Sequence, residues 1–150
     1  MKSTKCFSIL VKTIACALML GSLQAYADNG YYSEVSAKDI YSPNFWNVTN
    51  FTIPSSVKFP SNARLNDVRW KYTISGRIPT QGTFIAMLCH GDNSTCLDVT
   101  HEQVGTTTAF NYDGKNPATV PFYLMYRVNS RSSFSPISTG NAQVIVNMKN

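Results

Sequence analysis

Val68-Arg69-Trp70-Lys71-Tyr72-Thr73-Ile74 alternates strictly between apolar and polar side chains. A period of two puts Val68, Trp70, Tyr72 and Ile74 on one face and Arg69, Lys71 and Thr73 on the other, which marks a strand with one buried face. Phe122, Leu124, Tyr126 and Val128 repeat the pattern nearer the C-terminus. Thr83 to Cys89 is more continuously apolar and predicts a central strand covered on both faces. Thr106 to Phe110 and Ala142 to Asn147 read as short strands rich in Thr and Val. Tyr31 to Ala37 and Phe45 to Ile53 read as less regular ones.

Turn-forming residues fall between these runs. Gly76-Arg77-Ile78-Pro79-Thr80-Gln81-Gly82 and Asp113-Gly114-Lys115-Asn116-Pro117 each separate two strands, while Pro54 to Asn62 and Asn129 to Gly140 predict longer loops. No amphipathic pattern of helical period persists for about three turns. The expected fold is all-β: an antiparallel β-sandwich or flattened barrel of about six to eight short strands.

The chain starts with a secretory pattern. Lys2 and Lys5 precede an apolar stretch, and Ala25-Tyr26-Ala27 presents small residues where a signal peptidase reads them. The uninterrupted apolar core, Thr13 to Leu20, is far short of the ~20 residues that span a bilayer. The expectation is a cleavable signal over residues 1–27, cut between Ala27 and Asp28, and a single domain over 28–150 with no membrane span. Removing Lys2, Lys5 and Lys12 lowers the net charge from +5 to +2. The remaining basic residues form no run, so nucleic acid is not expected as a partner.

Cys6 and Cys16 leave with the signal. Cys89 and Cys96 remain, and two cysteines in an exported domain are expected to pair. The turn His90-Gly91-Asp92-Asn93-Ser94-Thr95 lies between them, so the bridge would staple a hairpin.

The same region holds the candidates for chemistry. Cys89, His90, Cys96 and His101 could ligand zinc or copper, but oxidation competes for both thiols and adjacent Cys89 and His90 would face opposite sides of a strand. Asp92, Asp98 and Glu102 lie near the two histidines, yet no nucleophile motif accompanies them. Neither metal, cofactor nor catalytic site is expected, and each histidine reads as an exposed hairpin residue. Tyr31, Tyr32, Tyr41, Phe45 and Trp46 could form a docking patch. Large aromatics usually bury, so most of these five are expected to cover the sandwich and supply an edge strand.

From Val68 onward the chain resembles the FlhE family of flagellar accessory proteins. The likeness rests on Trp70-Lys71-Tyr72 with Gly76 and Pro79 following, and on the hairpin from Leu88-Cys89 to Cys96-Leu97. Gly105-Thr106-Thr107-Thr108-Ala109-Phe110 and Val144-Ile145-Val146-Asn147 complete it, in the family's order. The start, Gly30-Tyr31-Tyr32 with Val35-Ser36, resembles it loosely, and Pro43 to Asn66 does not align clearly. The hairpin is longer than in enteric members. The resemblance implies a periplasmic protein with no enzymatic activity. Its partners would be flagellar rod, filament or export-apparatus proteins, and its role chaperoning subunits or limiting proton leakage. A subunit of a surface fibre, or a secreted binding or inhibitor module, is the alternative.

Overall fold

The computed structural model describes residues 30–56, 58–60 and 62–149. The expected cleavage site at Ala27 and Asp28 lies outside them. Eight strands run β1 (Gly30–Ser36), β2 (Asn47–Asn50), β3 (Arg64–Lys71), β4 (Thr83–His90), β5 (Cys96–Asp98), β6 (Val104–Thr107), β7 (Phe122–Asn129) and β8 (Asn141–Lys149). They form two antiparallel four-stranded sheets, β1-β8-β3-β6 and β2-β7-β4-β5. The sheets pack face to face as an open sandwich and do not close into a barrel. No helix occurs among the described residues, so none is long and apolar enough to cross a membrane.

The period-two residues are the core. Val68, Trp70 and Tyr72 pack inward from the first sheet with Val144 and Val146. Phe84, Ala86 and Leu88 meet them from β4, and Phe122, Leu124, Tyr126 and Val128 from β7. Tyr72 lies at the centre, 5.5 Å from the Tyr126 ring and 6.3 Å from Phe84. Its hydroxyl donates to the Val99 carbonyl at 2.8 Å, and burial, with Asp98 nearby, pushes its pKa up to about 12.

β3 carries a bulge between Leu65 and Asp67. Beyond it Asp67 accepts from Asn147 Nδ2 at 2.7 Å and from Arg69 Nε at 3.3 Å on the outer surface. Gly105 of β6 crosses directly over the Trp70 indole, where a Cβ would overlap the ring carbons. That is a close-approach glycine.

Three expected strands differ in extent. Val68 to Ile74 becomes β3, Arg64–Lys71, so Tyr72 to Ile74 follow the strand rather than extend it. Thr106 to Phe110 is not one strand: β6 starts at Val104 and ends at Thr107, whose hydroxyl accepts from the Ala109 amide and turns the chain. Phe110 then drops into the core, 5.2 Å from Phe122. Phe45 to Ile53 shrinks to Asn47–Asn50. Asn44 before it adopts a left-handed backbone (φ 66°), and its side chain holds the Ser130 carbonyl at 2.9 Å.

Candidate functional site: the outer face of the second sheet

The hairpin between β4 and β5 is stapled as expected. Cys89 stands opposite Cys96 in the register, and the two sulfurs are bonded at 2.06 Å with Cα atoms 4.1 Å apart. In the turn, Asp92 Oδ1 accepts from the Ser94 amide at 2.9 Å. Lys115 Nζ reaches Asp92 Oδ2 at 2.9 Å, the His90 carbonyl at 2.7 Å and Thr95 Oγ1 at 2.6 Å. The Ser94 hydroxyl, 2.5 Å from Oδ1, contributes most to holding the Asp92 carboxyl well below the usual carboxylate range, with Lys115 and the Ser94 amide adding to it. Gly91 is left-handed (φ 75°) and a Cβ there would run into Val120, so the turn requires glycine.

His90 is a correction. Rather than an exposed hairpin residue it is fully buried, on the inward face with Leu88, while the adjacent Cys89 faces outward. Its ring stacks on Phe122 at 4.2 Å, Nδ1 lies 2.5 Å from Asp113 Oδ2, and Nε2 lies 3.1 Å from the Val120 carbonyl. The pair ties the loop between β6 and β7 to the end of β4. His101 is exposed, as expected. Among the described residues no group of three or more His, Cys, Asp or Glu side chains could hold a metal.

The aromatic segment is a second correction. Only Tyr31 is buried; Tyr32, Tyr41, Phe45 and Trp46 are exposed, Phe45 by 70%. Tyr31 and Tyr32 do supply an edge strand, β1. Trp46 lies beside β7, with the Arg127 guanidinium 4.5 Å above its ring.

Residues opposite one another in the register share a sheet face. On the second sheet one outward row is therefore Val48, Met125, Met87 and Asp98, and the next is Asn50, Tyr123, Cys89 and Cys96. Arg127 and Ile85 continue the face towards Trp46. Cys89, Tyr123, Met125, Met87 and Cys96 pack as a hydrophobic cluster separate from the core. Arg127 and Asp98 are the only charged residues at outward strand positions of this sheet. Cys89, Tyr123 and Met125 are nonetheless buried, so the exposed apolar part of this face is its margin: Val48, Trp46, Phe45 and Tyr41. Exposed aromatic residues grouped at one edge of a sheet mark a candidate contact site.

The residues that carried the family likeness serve the fold. Trp70, Tyr72, Phe110, Val144 and Val146 are core, and Gly105 admits the indole. Gly76 supplies a positive φ of 117°. Asn147 holds Asp67, and Thr106 is exposed on the first sheet. The candidate contact residues lie elsewhere. Period two in β4 and β7 already placed Met87, Met125 and Tyr123 opposite the core residues; the exposure of Tyr41, Phe45 and Trp46 beside them follows from no such period.

The family model "Flagellar protein FlhE" matches residues 46–149, which takes in most of the Pro43 to Asn66 segment. No curated protein gives a match. A solved structure described as "Crystal Structure of FLHE" shares the fold, with a TM-score of 0.63 over 81% of this chain and 97% of that chain, at 20% identity. With most of its described residues inside one family model, this chain belongs to the FlhE family of flagellar proteins.

Proposed function

We propose that this chain is a periplasmic flagellar accessory protein and not an enzyme. Its signal, residues 1–27, is cleaved between Ala27 and Asp28 and leaves one domain over 28–150. The protein acts as a chaperone or regulator that stops flagellar rod or filament subunits assembling in the wrong place, or limits proton leakage through the export apparatus. Family membership supplies the flagellar part of this reading. The Cys89–Cys96 bridge suits an oxidising compartment.

The observation that carries the reading is the exposed aromatic margin of the second sheet, Tyr41, Phe45, Trp46 and Val48. A chaperone must cover an assembly surface that is apolar until it meets its neighbour, and this margin offers matching chemistry. The aromatic rim supplies anchors of the type that dominate binding energy.

Deleting the gene tests the function. The expected phenotype is flagella in the periplasm, altered swarming or acid sensitivity, restored by the full chain. A deletion strain normal in all three respects would refute it.

A further inference from the structure

We propose that the open edge of β2 adds an extended segment of a partner chain as a further strand of the second sheet. This rests on the partner-binding reading above and names the place and the geometry.

The backbone makes the first argument. β2 pairs only with β7, with Asn47, Val48, Thr49 and Asn50 opposite Tyr126, Met125, Leu124 and Tyr123. Just beyond it, in the same register, the Phe51 amide donates to the Phe122 carbonyl at 3.0 Å. In an antiparallel ladder alternate residues exchange both hydrogen bonds with the neighbour. Counting back from Phe51 commits Thr49 and Asn47 to β7, so the N–H and C=O of Val48 and Asn50 point away from the sheet.

The other edges differ. β1 carries the Glu34 carboxylate, bonded to Tyr32 and to Asn141. β5 has only three residues and ends in Asp98. β6 is uncharged but has no aromatic flank on its strand, only the exposed Val104. β2 has neither charge nor proline, the usual guards of an edge.

The surroundings specify the occupant. Trp46 and Val48 stand on the outer side of the edge. Between the edges of β1 and β2 runs a groove of about 280 Å³, lined by Val35, Ser36, Lys38, Val48, Thr49 and Asn50. Lys38 has no carboxylate within ion-pair distance among the described residues. An added strand alternates its side chains. The fitting segment therefore sets apolar side chains against Trp46 and Val48, and small polar ones, with a carboxylate near Lys38, into the groove.

The test uses the purified protein and a blocked peptide alternating valine with threonine and one aspartate. A second peptide is N-methylated at alternate residues, which keeps its side chains and removes backbone donors. The first should slow amide exchange at Val48 and Asn50 by about tenfold or more, and the second should not. Val48→Pro should abolish the effect while leaving the pairing with β7, since only an outward amide is lost. Equal binding of both peptides would overturn the proposal, as would protection at β6 instead. So would a self-associated protein whose Val48 and Asn50 amides are already protected, which would give the edge to a second copy. Loss of swarming on Trp46→Ser together with no peptide response would defeat the edge proposal and leave the function standing.

Discussion

The two sheets share one core, yet their outer faces are built from opposite chemistry. Outward positions of β1, β8, β3 and β6 carry Glu34, Lys149, Arg64, Asp67, Arg69 and Lys71. Their charges are used locally. Arg69 and Asn147 hold Asp67, and hydrogen bonds from Tyr32, Gln143 and Asn141, with Lys71 nearby, keep the Glu34 carboxyl below its ordinary range. The outer face of β2, β7, β4 and β5 instead packs two methionines, a tyrosine and a disulfide into a largely buried cluster and exposes an aromatic margin. Core packing requires neither arrangement, because both sheets bury their opposite sides equally well. The difference is therefore a statement about what each face meets.

The largest expected effect comes from breaking the tether beneath the apolar face. His90→Ala leaves Asp113 buried without its partner and should cost about 3–5 kcal/mol, read as a shift in the denaturant midpoint. An unchanged midpoint would mean the loop between β6 and β7 is held by other contacts. Removing the staple by replacing Cys89 and Cys96 with serine should cost about 2.5 kcal/mol, the loop-closure value for so short a ring. Loss of binding without loss of stability is the outcome expected at the rim. Phe45→Ser with Trp46→Ser should weaken partner capture by more than about tenfold. Stability should fall by no more than about 1 kcal/mol, the value of the Arg127 contact.

Alkali probes what the two faces share. The Tyr72 pKa is pushed up to about 12 in the fold, against 10.0 for the free side chain, and burial raises Tyr31 and Tyr126 as well. A raised folded pKa stabilises below pH 10 and is lost as pH climbs towards 12. Melting temperature should therefore fall across that window. Tyr72→Phe should flatten the fall and cost about 1 kcal/mol at neutral pH through the bond to Val99. The smallest effect belongs to the polar face, where Arg69→Ala should change stability by less than about 0.5 kcal/mol.

Much of this fold was legible because period two is a local property. Val68, Trp70, Tyr72 and the Phe122 to Val128 series declared the core, and the spacing of Cys89 and Cys96 declared the stapled hairpin. His90 was legible in principle, being two residues beyond Leu88 on the same face. Its partner Asp113, however, is 23 residues away in a loop that no local rule connects to it. Thr106 to Phe110 read as strand because threonine suits strands, while Thr107 instead bonds the Ala109 amide and turns the chain. The rim was misread for a different reason. Whether Tyr41, Phe45 and Trp46 are buried depends on where the link between β1 and β2 crosses, and the Ile40–Ile137 bridge that sets this crossing joins positions far apart in sequence. Alternation tells which residues of β4 and β7 point outward, but not which of them are exposed.

The two faces can be compared in one complementation assay. A deletion strain would receive the full chain with Trp46→Ser, Val48→Lys and Met87→Lys, or with Arg69→Ala, Lys71→Ala and Thr106→Ala. Swarming would be scored with periplasmic protein levels matched. The apolar-face variant should accumulate and fail to restore swarming, while the polar-face variant restores it fully. Equal rescue by both, or failure of the polar-face variant alone, would contradict the assignment of partner binding to the outer face of the second sheet.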